Sequence, residues 1–111
     1  MVKLIALVKR KDGITPEEFS RYWREHHGPL AISMLPGVKR YVQNHALRLS
    51  ARREPQIDGV VELWFDDLES QRRCAVFWAS DEGKAIRDDE AQFIDRDKMV
   101  FFVCEEKVIK E

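Results

Sequence analysis

Hydrophobic and polar positions along the chain switch between two spacings, and the switches mark out its elements. Val2–Val8 is an almost unbroken run of aliphatic residues, the pattern of a strand covered on both faces. Lys11-Asp12-Gly13 then turns the chain. Thr15-Pro16-Glu17-Glu18 spells a helix start, with Thr15 as N-cap, Pro16 in the first helical position and Glu18 three residues after the cap. Phe19, Tyr22, Trp23, His26 and Leu30 recur at helical spacing and predict one buried stripe. Pro29 has no N–H to donate and crowds the preceding turn, so a kink is expected around Gly28-Pro29. Pro36-Gly37 is a turn, after which Val38–Leu49 reads as a second strand with Tyr41, Gln43 and His45 on one face and Val42, Asn44 and Ala46 on the other. A polar loop is expected over 51–58 and a third strand over Val60–Phe65. Asp66-Asp67 can cap a helix from Leu68 to about Ala79, and Ser80-Asp81-Glu82-Gly83 looks like a restart continuing to Ile94. Met99–Cys104 is a last strand, again apolar on both faces.

The order β, α, β, β, α, β is that of the split βαβ unit: an α+β, ferredoxin-like fold with a four-stranded antiparallel sheet and its helices on one face. No repeat, linker or low-complexity stretch interrupts it, so 1–111 reads as one domain. Helices on one face leave the other bare. Because the first and last strands look apolar on both faces, a second copy of the sheet is the expected cover, giving a homodimer.

Composition narrows the partners. With 19 Lys+Arg against 20 Asp+Glu the formal charge is -1, and no basic excess exists to neutralise phosphates, so nucleic acid is not an expected ligand. The apolar runs are too short to span a bilayer and no signal peptide is readable, which makes a membrane role unexpected and a cytoplasmic location the expected one. Cys74 and Cys104 stand in apolar surroundings without His or Cys at ligand spacing and read as reduced, buried thiols. Without a phosphate loop, nucleotide fingerprint or metal-ligand spacing, no cofactor and no metal are expected.

Several blocks, in order, resemble the EthD family of dimeric α/β-barrel proteins: Phe19 to Ala31 with Trp23, His26-His27 and Gly28-Pro29; Leu35-Pro36-Gly37 to Asn44; Asp58-Gly59 to Phe65; Ser80-Asp81-Glu82-Gly83; and Phe93-Ile94-Asp95. The resemblance implies the dimeric barrel. It does not imply one reaction, since similar barrels include lactone isomerases, polyketide cyclases, decarboxylases, dehydratases and monooxygenases. The first helix and second strand are also similar to methylmuconolactone methylisomerase, which implies a helix histidine working with a strand tyrosine. Tyr41 matches that tyrosine. The histidine is His27 by the family pattern after Trp23, or His26 by its place in the apolar stripe.

An imidazole can take a proton in a partly dry pocket and return it elsewhere, and a tyrosine hydroxyl can polarise a carbonyl or enolate. His27, Tyr41 and His26 are therefore the candidate catalytic residues. Tyr22, Trp23, Asn44, Trp64, Trp78 and Phe93 are candidate ligand contacts, although large aromatics at such spacing serve a core equally well. The expected function is binding of a small hydrophobic or aromatic carbonyl compound with cofactor-independent isomerisation, cyclisation, decarboxylation or dehydration. Two alternatives are a non-catalytic accessory protein for an oxidase and a cofactor-free monooxygenase acting on a phenol.

Overall fold

A computed structural model describes residues 1–50 and 52–111. Strands β1 (Val2–Val8), β2 (Arg40–His45), β3 (Gly59–Phe65) and β4 (Val100–Glu105) form one sheet in the order β2-β3-β1-β4. Every neighbouring pair is antiparallel, which is the ferredoxin-like arrangement. The helices are α1 (Pro16–Tyr22), a π turn (Trp23–His27) and α2 (Gly28–Met34) in succession, then α3 (Leu68–Ala79) and α4 (Lys84–Phe93) after the long hairpin.

Register decides what each strand offers to each side. Leu4 lies opposite Leu63 and Val103, and Ala6 opposite Val61 and Phe101; these face the helices. On the other side Ile5 pairs with Glu62 and Phe102, and Leu7 with Val60 and Val100. Lys3 there bonds Glu62 at 2.8 Å, and Trp64 lies between Lys3 and Arg40, whose cations sit 4.8 and 4.6 Å from its ring. The second face is thus apolar with a charged centre, where an uninterrupted apolar surface was expected. Val100 and Phe102 remain 58% and 48% exposed on it.

The expected helix start is present in full: Glu18 N donates to Thr15 Oγ1 at 3.1 Å and Thr15 N donates to Glu18 Oε1 at 3.2 Å. The expected stripe is not. Phe19, Trp23, His27 and Ala31 are buried, whereas the His26 side chain is 59% exposed. A four-residue step overshoots an α-helical turn by about 40°, so three such steps would carry the stripe far off the sheet. The wider π turn absorbs the extra residue and returns His27 and Ala31 to the inner face. The expected irregularity therefore lies immediately before Gly28-Pro29. Gly28 also lets the sheet come close: a Cβ there would stand 2.8 Å from Gln43 Nε2, which donates to Trp23 O at 2.9 Å. The Trp23 carbonyl is thus occupied from the sheet side by Gln43.

Strand β2 is shorter than the expected Val38–Leu49 and ends at His45, though its two faces are as the alternation predicts. The expected loop over 51–58 includes Ala51, which lies outside the described residues. Asp58 is not the exposed loop carboxylate it resembles. It is buried and binds Arg10 N and Nη1 at 2.8 and 2.7 Å and Arg48 Nη2 at 2.8 Å, fastening the hairpin to the end of β1. Cys74 is buried but Cys104, on the bare face, is only half-buried.

Candidate functional site

Between sheet and helices lies a cavity of about 360 Å3, at the small end of the usual range for ligand pockets. Its floor is Leu4, Ala6, Val61 and Leu63; Trp23, His27 and Ala31 close it from the first helix, and Cys74, Trp78 and Glu90 from α3 and α4. It opens toward the edge strand, where Phe101 lines it and is still 61% exposed. Few polar groups reach it.

His27 is 5% exposed, and its Nδ1 lies 2.8 Å from Asp89 Oδ2. Tyr22 donates its hydroxyl to the other oxygen of Asp89, and His26 Nδ1 stands 3.3 Å from it while stacking on the Tyr22 ring. Burial by itself would raise the Asp89 carboxyl, but the hydrogen bonds from Tyr22 and His27 and the histidine charges outweigh it and hold Asp89 below its ordinary value. Asp89 is therefore a carboxylate that accepts from both. Its partner nitrogen, His27 Nδ1, must carry the hydrogen, which leaves Nε2 as the basic nitrogen of this cavity-lining ring. Burial, reinforced by the hydrogen bond to Asp89, pushes the Tyr22 hydroxyl up to about 12 and keeps it a donor.

Tyr41 enters from β2 and is held by a chain of side chains. Ser20 Oγ lies 2.5 Å from His45 Nδ1, His45 Nε2 2.9 Å from Gln43 Oε1, and Gln43 Nε2 donates to Tyr41 Oη at 3.1 Å. Since Gln43 Oε1 only accepts, His45 must carry its hydrogen on Nε2 and accept from Ser20 on Nδ1. Burial, together with the Arg24 charge, lowers the proton affinity of His45 and suits this neutral form. Tyr41 Oη thus accepts within the protein, and among the described residues its own hydrogen has no acceptor, which leaves it for the cavity. Burial raises the Tyr41 hydroxyl, so it stays protonated.

Of the residues singled out in the sequence, His27, Tyr41, Trp23 and Trp78 line this cavity. His26 points outward. Phe93 and Tyr22 stand behind His27 rather than in the cavity, Phe93 with its ring 5.1 Å from the imidazole. Asn44 and Trp64, expected at a ligand, lie on the opposite face of the sheet, because even-numbered residues of β2 and β3 point away from the helices. Asn44 there binds Glu62 Oε1 and Val60 O. Sequence reasoning missed Asp89, Glu90, Gln43 and the cavity-lining Gln71. The first two sit in a run of three acids, Asp88-Asp89-Glu90, that resembles a solvated helix face. Burial pushes the Cys74 thiol up to about 11, which makes it a lining group and not a nucleophile. Among the described residues no group of three His, Cys, Asp or Glu side chains is placed to hold a metal ion, and no helix is long and apolar enough to cross a membrane.

The EthD domain family matches residues 11–97. Among solved structures, an EthD family protein from Bacillus halodurans C-125 is 27% identical with a TM-score of 0.71, covering 96% of this chain and 99% of its own. An EthD-like protein from Ralstonia eutropha JMP134 is 18% identical with a TM-score of 0.72, over 98% and 94% of the two chains. A dimeric ferredoxin-like protein of unknown function from Thermobifida fusca YX is 18% identical with a TM-score of 0.63, over 93% and 88%. No curated protein matches the chain. With four-fifths of its length inside the family match and the ferredoxin-like sheet shared with these structures, the chain belongs to the EthD family.

Proposed function

We propose that the protein binds a small cyclic or aromatic carbonyl compound in the helix-side cavity and moves a proton on it without a cofactor, with His27 as base and Tyr41 as hydrogen-bond donor. One observation carries this reading: a carboxylate-oriented imidazole and a tyrosine with a free hydroxyl hydrogen face the same largely apolar cavity. In such surroundings a base is poorly solvated and the carbonyl it acts on is polarised by a fixed donor, the arrangement that proton abstraction next to a carbonyl requires. The similarity to methylmuconolactone methylisomerase in the first helix and second strand favours isomerisation within this class. Deuterium exchange tests it: neutral butenolides and phenolic ketones are incubated with the protein in D2O and exchange beside the carbonyl is followed by NMR. Exchange accelerated by wild type and lost in His27→Ala supports the reading. Binding without exchange in any compound favours the accessory, purely binding role instead, for which the apolar lining alone suffices.

The same proposal includes assembly. The sheet face carrying Ile5, Leu7, Val100 and Phe102 is covered by no helix, and its apolar residues flank the Lys3–Glu62 pair. A second copy turned face to face covers it, as the dimeric state of the Thermobifida relative suggests.

A further inference from the structure

Glu90 follows Asp89 on α4 and lines the same cavity as His27 and Tyr41. One carboxyl oxygen is satisfied: Trp78 Nε1 donates to Oε2 at 3.1 Å. The other, Oε1, is shut off from solvent and has no hydrogen-bond partner, the one buried side-chain atom among the described residues in that position. Burying a polar oxygen without a partner is costly, and native structures keep such atoms where something else completes them. Glu90 is itself one of the residues that line the cavity.

We propose that Glu90 is a second ligand-contacting residue of this cavity, its Oε1 side hydrogen-bonding the carbonyl oxygen of a neutral ligand whose adjacent carbon His27 deprotonates. The proposal rests on the reading of the cavity as a carbonyl-binding site and adds both a residue and a restriction on ligand charge. To bond a carbonyl oxygen, Oε1 must carry a hydrogen. Burial raises the Glu90 carboxyl, more than the Trp78 hydrogen bond and the charges of His27 and Arg96 lower it, while the carboxylate of Asp89 pushes the same way as burial. Tyr41 is the remaining titratable group whose charge interaction with Glu90 is felt across the cavity.

The proton ledger closes within the site. His27 Nε2 takes a proton from carbon, the C–H pair becomes the C=C bond of an enol, and the carbonyl π pair goes to oxygen. That oxygen takes the Glu90 proton, leaving an imidazolium and a carboxylate in place of a neutral pair. Return of the His27 proton to another carbon, and of the enol proton to Glu90, regenerates both and completes an isomerisation. A ligand carrying its own carboxylate would have to be desolvated in this largely apolar cavity near the Asp89 carboxylate, so the substrate class is a lactone or ketone and not a free acid.

Two matched probes and one spectroscopic signal test this. Acetophenone and benzoate share a ring and differ in the charge of the carbonyl end; their binding is read by quenching of the cavity tryptophans Trp23 and Trp78. Wild type at neutral pH should bind acetophenone and bind benzoate at least about tenfold more weakly. Glu90→Gln, whose amide can donate, should keep acetophenone within a few fold, and Glu90→Ala should weaken it about tenfold, the size of one buried hydrogen bond. The infrared difference between wild type and Glu90→Gln should show the carbonyl stretch of a neutral carboxylic acid, with or without a probe. An ionised Glu90 in that spectrum, or an Ala variant that binds acetophenone like wild type, overturns the proposal and leaves the cavity reading intact. Failure of acetophenone to bind wild type, with the neutral-acid signal present, overturns the cavity reading and the proposal with it.

Discussion

Asp89→Asn tests the site and the packing around it together. The carboxylate accepts from His27 Nδ1 at 2.8 Å and from the Tyr22 hydroxyl, and Asp89 is 8% exposed. An asparagine of the same shape offers one acceptor and one NH2, so Tyr22 can keep an acceptor while Nδ1 meets the NH2, and neither retains a charged partner. Hydrogen bonds to a buried charged group contribute roughly 1.5–3 kcal/mol each against roughly 0.5–1.5 kcal/mol for neutral ones, and both bonds become neutral. A loss of roughly 2–4 kcal/mol follows, which lowers the melting temperature of a domain this size by on the order of 10 °C. The loss is pH dependent with a definite sign. Asp89 is held below its ordinary value in the fold, so the native state binds fewer protons than the unfolded chain, and its contribution is complete above the ordinary aspartate value of about 3.9 and disappears as pH falls through the folded-state value. Thermal melts at one fixed protomer concentration should therefore show the gap between wild type and variant largest near neutrality and shrinking below about pH 4. Activity should fall further than stability accounts for: with an amide NH2 facing Nδ1, the imidazole hydrogen moves to Nε2 and the base is lost, a fall on the order of 100-fold or more. A variant that melts within about 2 °C of wild type at pH 7, with the same gap at low pH, would refute the reasoning.

His27→Ala and Tyr41→Phe should each reduce exchange or turnover, and Tyr41→Phe, which costs the protein only the one hydrogen bond from Gln43, should lower melting by no more than a few degrees. Gly59→Ala should destabilise by about 1–3 kcal/mol in a urea titration, since its Cβ would overlap the Trp23 ring and stand 2.7 Å from Asn44 O. Sedimentation at micromolar concentration should give a dimer mass for wild type, and Phe102→Glu, placing a second acid on the bare face across Ile5 from Glu62, should give a monomer; a wild-type monomer with the fold intact sinks the dimer. Gln43→Leu breaks the link between His45 and Tyr41, and its effect should appear as a change in ligand affinity that Ser20→Ala reproduces more weakly.

Local chemistry announces itself in the sequence, and much of this fold is local. The capping box at Thr15 and Glu18, the Asp67 cap on α3 and the period-two faces of β2 each depend on residues within a few positions of one another, so spacing alone predicts them. The family resemblance, likewise, is a property of ordered local blocks. What the sequence did not reveal depends on residues that meet across the fold. Which histidine faces inward turns on a π turn whose register is set by the sheet, through Gln43 on the Trp23 carbonyl and the absent side chain of Gly28. Asp89 lies 62 positions from His27, in an acidic helix segment indistinguishable by pattern from a solvated one, and only the packing of α4 on the first helix makes it the partner of the imidazole. Asn44 and Trp64 share their strands with cavity residues, and only the side of the sheet that the helices cover separates the two sets. Patterns of period two and 3.6 report a residue's own element and the face it occupies; which face is covered, and by what, is decided by burial free energy summed over the whole chain.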